Sequence, residues 1–166
     1  MSAEVVPTAT PADGRVAIAR QAIHDRSTRV VGYALLLRDA AAGDDDERDA
    51  TQVIVETFTA IGVAAIAGER PAHVRVPRRF LLEQHALALP PERVVLEVAD
   101  PGGEDEPLDA VLERLAEQGY RISLVCDPRR PLPRERARTA ASVKLDVAGL
   151  ADDELDECVE RHGRAA

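Results

Sequence analysis

Ala19-Arg20-Gln21-Ala22-Ile23-His24-Asp25 and, after a short polar break, Val30-Val31-Gly32-Tyr33-Ala34-Leu35-Leu36-Leu37-Arg38 are the two runs whose reading decides the fold. Separated by the polar Asp25-Arg26-Ser27-Thr28, they read as two strands of a hairpin. The second run is too continuously apolar to face water on either side, so it is predicted to be a buried strand. Working outward, Val16 to Ile23 forms the first predicted strand and Arg29 to Arg38 the second.

Length and composition narrow the rest. A chain of 166 residues suits one domain with a real core. Two Phe, two Tyr and no Trp leave that core to Ala, Val and Leu, a composition suited to parallel strands packed by helices. The net charge of -9 repels phosphate backbones and anionic membranes, which argues against general binding to a nucleic-acid polymer or a membrane surface. A small anionic ligand would need a local basic pocket. The two cysteines, Cys126 and Cys158, lack metal-ligand spacing and are too few for a disulfide scaffold. They read as buried or incidental thiols. No basic start precedes an apolar stretch and no run is long enough to span a bilayer, so a cytoplasmic protein is expected.

Residues 1–14 mix Pro, Thr, Ala and single acids without periodicity and are expected to be a disordered lead-in, with residues 15–166 forming a single domain. The acidic run from Asp39 to Asp49 lacks the ligand spacing of a calcium loop and reads as a solvated connection. Asp49-Ala50-Thr51-Gln52 has the shape of a capping box, and Ile54, Phe58, Ile61 and Ala65 recur at helical spacing, predicting a helix to about Ala67. His73 to Val76 is a short strand, followed by a short helix around Phe80 to His85. Arg93 to Val98 is a buried parallel strand that brings Glu97 to the rim of a sheet, where ligands meet α/β proteins. Pro107 opens a helix through Leu108, Val111, Leu112 and Leu115, closed by Gly119. Arg121 to Cys126 and Ser142 to Val147 are the last strands, separated by a proline-rich segment read as mostly loop with room for one helical turn, and Asp152 to Arg161 is a closing helix. A hairpin followed by alternating strands and helices is an α/β pattern with a parallel sheet and right-handed crossovers.

The run from Gly32-Tyr33 to Arg38, together with Arg20-Gln21, Pro91 to Glu97, Gly119-Tyr120-Arg121 and Val143-Lys144-Leu145-Asp146, resembles EAL domains, the bacterial cyclic-di-GMP phosphodiesterase fold, and in particular the divergent branch fused to HDOD domains. The resemblance covers about residues 16–150. It implies an incomplete EAL-type (β/α) barrel of about six strands, two short of a closed (β/α)8 barrel and roughly 80 residues under the usual ~250. Active members use two divalent ions, held at the C-terminal ends of the strands by carboxylates and an asparagine, to activate water against a phosphodiester. Carried onto this chain, the first glutamate falls on Ala34, the asparagine on Arg75 and the paired aspartates on Val125 and Cys126, while the second glutamate and the lysine fall on Glu97 and Lys144. Asp127 comes one place late, and the family's last strands have no counterpart.

One carboxylate does not hold two Mg2+ ions, so the resemblance implies lost hydrolysis and no metal or other cofactor. Arg75 is expected to form an ion pair with Glu97 in place of the metal, with Lys144 nearby, or else to point to solvent. Gln21 and Arg38 match positions that contact the dinucleotide, and together with Arg75 and Lys144 they form the possible ligand-binding set; for Arg38 the alternative is a strand-end pairing with Asp39 or Glu97. An unfinished barrel leaves its first and sixth strands as open edges, which favours a homodimer or a partner protein covering them, unless the closing helix folds over the gap. The expected role is a catalytically inactive signalling module acting through protein contacts. The alternatives are a cyclic-di-GMP receptor that binds without cleaving and a residual phosphodiesterase.

Overall fold

A computed structural model of the chain describes residues 4–5, 16–39, 54, 58 and 62–163. Its strands are β1 Glu4–Val5, β2 Val16–His24, β3 Val30–Asp39, β4 Ala72–Arg75, β5 Val94–Ala99, β6 Arg121–Cys126 and β7 Ser142–Leu145, and each pairs with the next in chain order. β1, β2 and β3 are antiparallel neighbours, whereas β3 to β7 run parallel, giving a mixed sheet curled into half a barrel. The helices are α1 Val63–Ala67, α2 Arg78–Leu82, α3 Glu106–Glu117, α4 Arg134–Thr139 and α5 Asp152–Gly163, with a 3-10 turn at His85–Ala88.

The six strands predicted from hydrophobic runs are β2 to β7. The two-residue β1 is additional. It falls within the stretch predicted to be disordered, most of which lies outside the described residues. The expectation of two bare sheet edges is therefore corrected on one side, because Glu4 and Val5 pair with Arg20 and Ala19 of β2. β7 ends two residues early, since the Asp146 carboxylate accepts the Ala148 N–H at 3.1 Å and turns the chain. The segment read as mostly loop contains α4, started by Pro133, whose fixed φ suits a helix entry. Of the helix predicted from Asp49, only Ile54, Phe58 and α1 are described, and the acidic run of residues 40–49 lies outside the described residues.

Register explains which face became the core. Leu35, Val74, Leu96 and Ile122 lie opposite one another across four strands and are all but inaccessible. They pack with Phe80, Leu108, Leu112 and Leu115 from the helices. Tyr120 sits just before β6 and its hydroxyl reaches the Ala86 and Leu89 carbonyls at 2.9 and 2.8 Å, tying the 3-10 turn to the sheet. Because side chains alternate in a strand, every residue one place off this row points to the opposite, concave face. α5 meets the loop after β6, with Arg161 donating to the Pro128 carbonyl at 2.9 Å and Cys158 buried. No helix among the described residues is long and apolar enough to cross a membrane.

Candidate functional site

Three rungs of the parallel sheet build the concave face. Gln21, Ala34, His73, Val95 and Arg121 lie on one, Arg75, Glu97, Ser123 and Ser142 on the next, and Ala99, Val125 and Lys144 on the third. Glu97 is 4 % exposed, in the middle of the middle rung, and is the one carboxylate among these residues.

The Lys144 ammonium stands 3.2 Å from both Glu97 oxygens, a two-pronged contact, and His73 Nδ1 approaches Oε1 at 3.5 Å. Lys144 makes this contact from two strands away. Parallel strands lie about 4.8 Å apart, so the lysine stem must cross the whole of β6. On β6 the residue directly opposite Glu97 is Ser123, which is small and buried. His73 arrives from the other side, one rung behind. Its ring has room because residue 32 is glycine: a Cβ there would stand 3.3 Å from the imidazole and 3.1 Å from the Pro71 carbonyl. Burial alone would raise the Glu97 pKa. The His73 hydrogen bond and the charge and hydrogen bond of Lys144 outweigh it and hold the carboxyl below its ordinary 4.5.

The expected Arg75–Glu97 pair is corrected. The two residues are opposite in register, yet Arg75 is exposed and makes no ion pair with Glu97. The carboxylate is already satisfied from both sides, so burying a guanidinium beside it would cost hydration without supplying a missing partner. Cys126 is the buried thiol expected from its residue type, but as a vestigial active-site position it lies off the concave face. It projects to the core face, 4 % exposed, and burial, with Asp100 nearby, pushes its thiol up to about 11. Val125 and Ala34 do lie on the concave face, half-buried and buried respectively, as does the half-buried Gln21. Asp127 is exposed beyond β6, accepting the Arg129 N–H at 2.9 Å. Arg38 lies in β3 opposite Ala17.

Two residues were not singled out by sequence reasoning. His73 could have been, since two-residue alternation puts it on the face of Arg75. Arg136 carries no such signal. It has no exposed side-chain surface and is held by Asp100, by Asp109 at 2.6 Å and by the Gly103 carbonyl at 3.0 Å. This cluster lies behind the rim and fixes the loop after β5 against α3 and α4.

No family model matches the chain. It is 26% identical over 154 residues to the cyclic di-GMP phosphodiesterase CdgJ of Vibrio cholerae serotype O1, an alignment covering 90% of this chain and 35% of the relative. It is also 25% identical over 118 residues to the uncharacterized protein YuxH of Bacillus subtilis, covering 66% of this chain and 28% of that protein. The likeness is distant homology. The chain spans about a third of the length of the curated relatives it matches.

Proposed function

We propose that this chain is a degenerate EAL-type module of cyclic-di-GMP signalling that does not hydrolyse the dinucleotide and acts through protein contacts. One observation carries the reading: on the concave face, where the relative named as a phosphodiesterase aligns, Glu97 is accompanied by Ala34, His73, Arg75, Val125 and Lys144, with no further carboxylate on the three rungs. A divalent ion takes oxygen ligands, and a two-ion clamp needs several of them in one place. Among the described residues β7 has no strand on its outer side, and such an edge supports the contact role, since an unpaired strand invites a partner, here a second copy of the chain.

The exposed Arg75 and the half-exposed Lys144 favour a second reading on the same face, a receptor that binds cyclic di-GMP without cleaving it. Incubating the full chain with cyclic di-GMP and Mg2+ or Mn2+ and following the nucleotide by chromatography tests the main proposal. Intact nucleotide is expected. Turnover that Glu97→Gln removes would overturn it. Calorimetry with cyclic di-GMP separates the two readings, because saturable heat belongs to the receptor and its absence to the contact module.

A further inference from the structure

The closing helix carries a flank that the sheet does not use. α5 touches the body along a narrow strip: Cys158 is buried, Arg161 donates to the Pro128 carbonyl at 2.9 Å, and Glu154 meets Arg129 at 3.4 Å. At 100° per residue, Glu154 and Arg161 lie to one side of Cys158, and Leu155 and Val159 to the other. Leu155 is 38 % exposed and Val159 60 %. With Val147 in the turn before the helix, they make up three of the five exposed large aliphatic side chains among the described residues. A helix ordinarily turns such a pair, four residues apart, towards a core. Here it faces water.

Charge gathers on the same helix. Six acids and one arginine between residues 152 and 161 leave a net charge of -5 there, more than half of the -9 of the whole chain. Asp153, Asp156, Glu157 and Glu160 recur at three- and four-residue spacing, which puts them on one face beside the aliphatic pair, and all four are exposed. Like charges at that spacing destabilise a helix, and those in its last turns also meet the negative end of the helix dipole. Arg161 stands 3.8 Å from Glu157, whereas Asp153 and Asp156 meet no cation among the described residues. A partner bringing cations to this face would relieve the repulsion while covering Leu155 and Val159.

We infer that the outer flank of α5 is a docking surface for a basic amphipathic segment of another protein, its apolar side against Leu155 and Val159 and its cations against Asp153 and Asp156. A second α5 does not suit the place, because acids would face acids, and the same charge repels nucleic acid and anionic membranes. The residues involved belong neither to the concave face nor to the edge of β7, so the inference stands independently of the EAL-type reading.

Fluorescence anisotropy and amide chemical shifts on the full chain test it, using as probe a labelled peptide of leucine and lysine, about four turns long, with leucine at helical spacing. Saturable binding is expected, with the shifted amides concentrated between Val147 and Arg161 and the affinity falling as salt rises. Leu155→Ala with Val159→Ala keeps every charge and a good helix former, and is expected to weaken binding about tenfold. Asp153→Asn with Asp156→Asn should weaken it and flatten the salt dependence. Absence of saturable binding overturns the inference, as do shifts lying mainly outside α5. An alanine pair that binds as tightly as the wild type also overturns it, since charge alone would then hold the peptide. So does a mass from light scattering that falls when Leu155 and Val159 are replaced, because a second copy would then occupy the flank. Cyclic-di-GMP turnover bears on the non-hydrolytic reading alone.

Discussion

Arg136 is the largest fully buried side chain among the described residues, and its charge is tolerated because every approach to the guanidinium meets an acceptor. The Asp100 side chain is 2 % exposed, so removing the arginine strands a carboxylate away from water. Arg136→Met is accordingly expected to cost roughly 3–5 kcal/mol in urea unfolding. Asp109→Asn should cost less, because Asp109 is 34 % exposed and water can replace the lost partner. Glu97 yields a pH prediction whose sign follows from its lowered pKa. In the unfolded chain the carboxyl has its ordinary, higher value, so the stability it contributes is fully present above that value and is lost as pH falls through the folded one. Melting temperature should therefore fall more steeply on acidification below about pH 5 for the wild type than for Glu97→Gln. Equal slopes would mean that Lys144 and His73 do not stabilise the ionised form.

The elements follow from local chemistry to different degrees. β5 and β6 form where apolar runs predict strands, and α3 forms where Leu108, Val111, Leu112 and Leu115 repeat at helical spacing. The start of α3 is set by Asp105, whose side chain accepts the Leu108 N–H at 3.2 Å while Arg78 holds the same carboxylate by two contacts at 2.7 and 2.8 Å. That cap fixes the end of the loop following Glu97's strand. Asp105→Ala should cost about 0.5–2 kcal/mol by thermal or urea melting. Tyr120→Phe should cost about 1–3 kcal/mol, since it leaves the Ala86 and Leu89 carbonyls without their shared buried donor. α4 was legible only as a single helical turn in a loop, because prolines at 131 and 133 mask a helix whose buried side is an arginine and an alanine. Its stability comes from Arg136 meeting Asp100 and Asp109, contacts 36 and 27 residues away that no local pattern announces.

For the whole molecule, the open, curled sheet is the feature with consequences. The order β1 to β7 does not close, and β7 carries no further strand among the described residues. The two-residue β1 covers only Ala19 and Arg20 on the opposite edge. If the module acts through contacts between copies, light scattering should give a mass near twice the 17.9 kDa of one chain, falling towards that value on dilution. A single species of one chain's mass at every concentration would leave the contact role without its physical basis. A proline at Val143 is expected to weaken such association only if the edge of β7 mediates it, because proline removes a strand donor.

From the residues alone came the alternation of strands and helices, the aliphatic core, the initial hairpin and the presence of Glu97 and Lys144 near strand ends, because each rests on periodicity or on a run only a few residues long. Tertiary structure decided which cation meets Glu97. Arg75, opposite it in register, was the expected partner with Lys144 only nearby, whereas Lys144 two strands away and His73 one rung behind are the actual partners. That choice depends on the curl of the sheet and on the space beside Gly32. Both arise where strands distant in the chain come together, so a reading of neighbouring residues does not reach them.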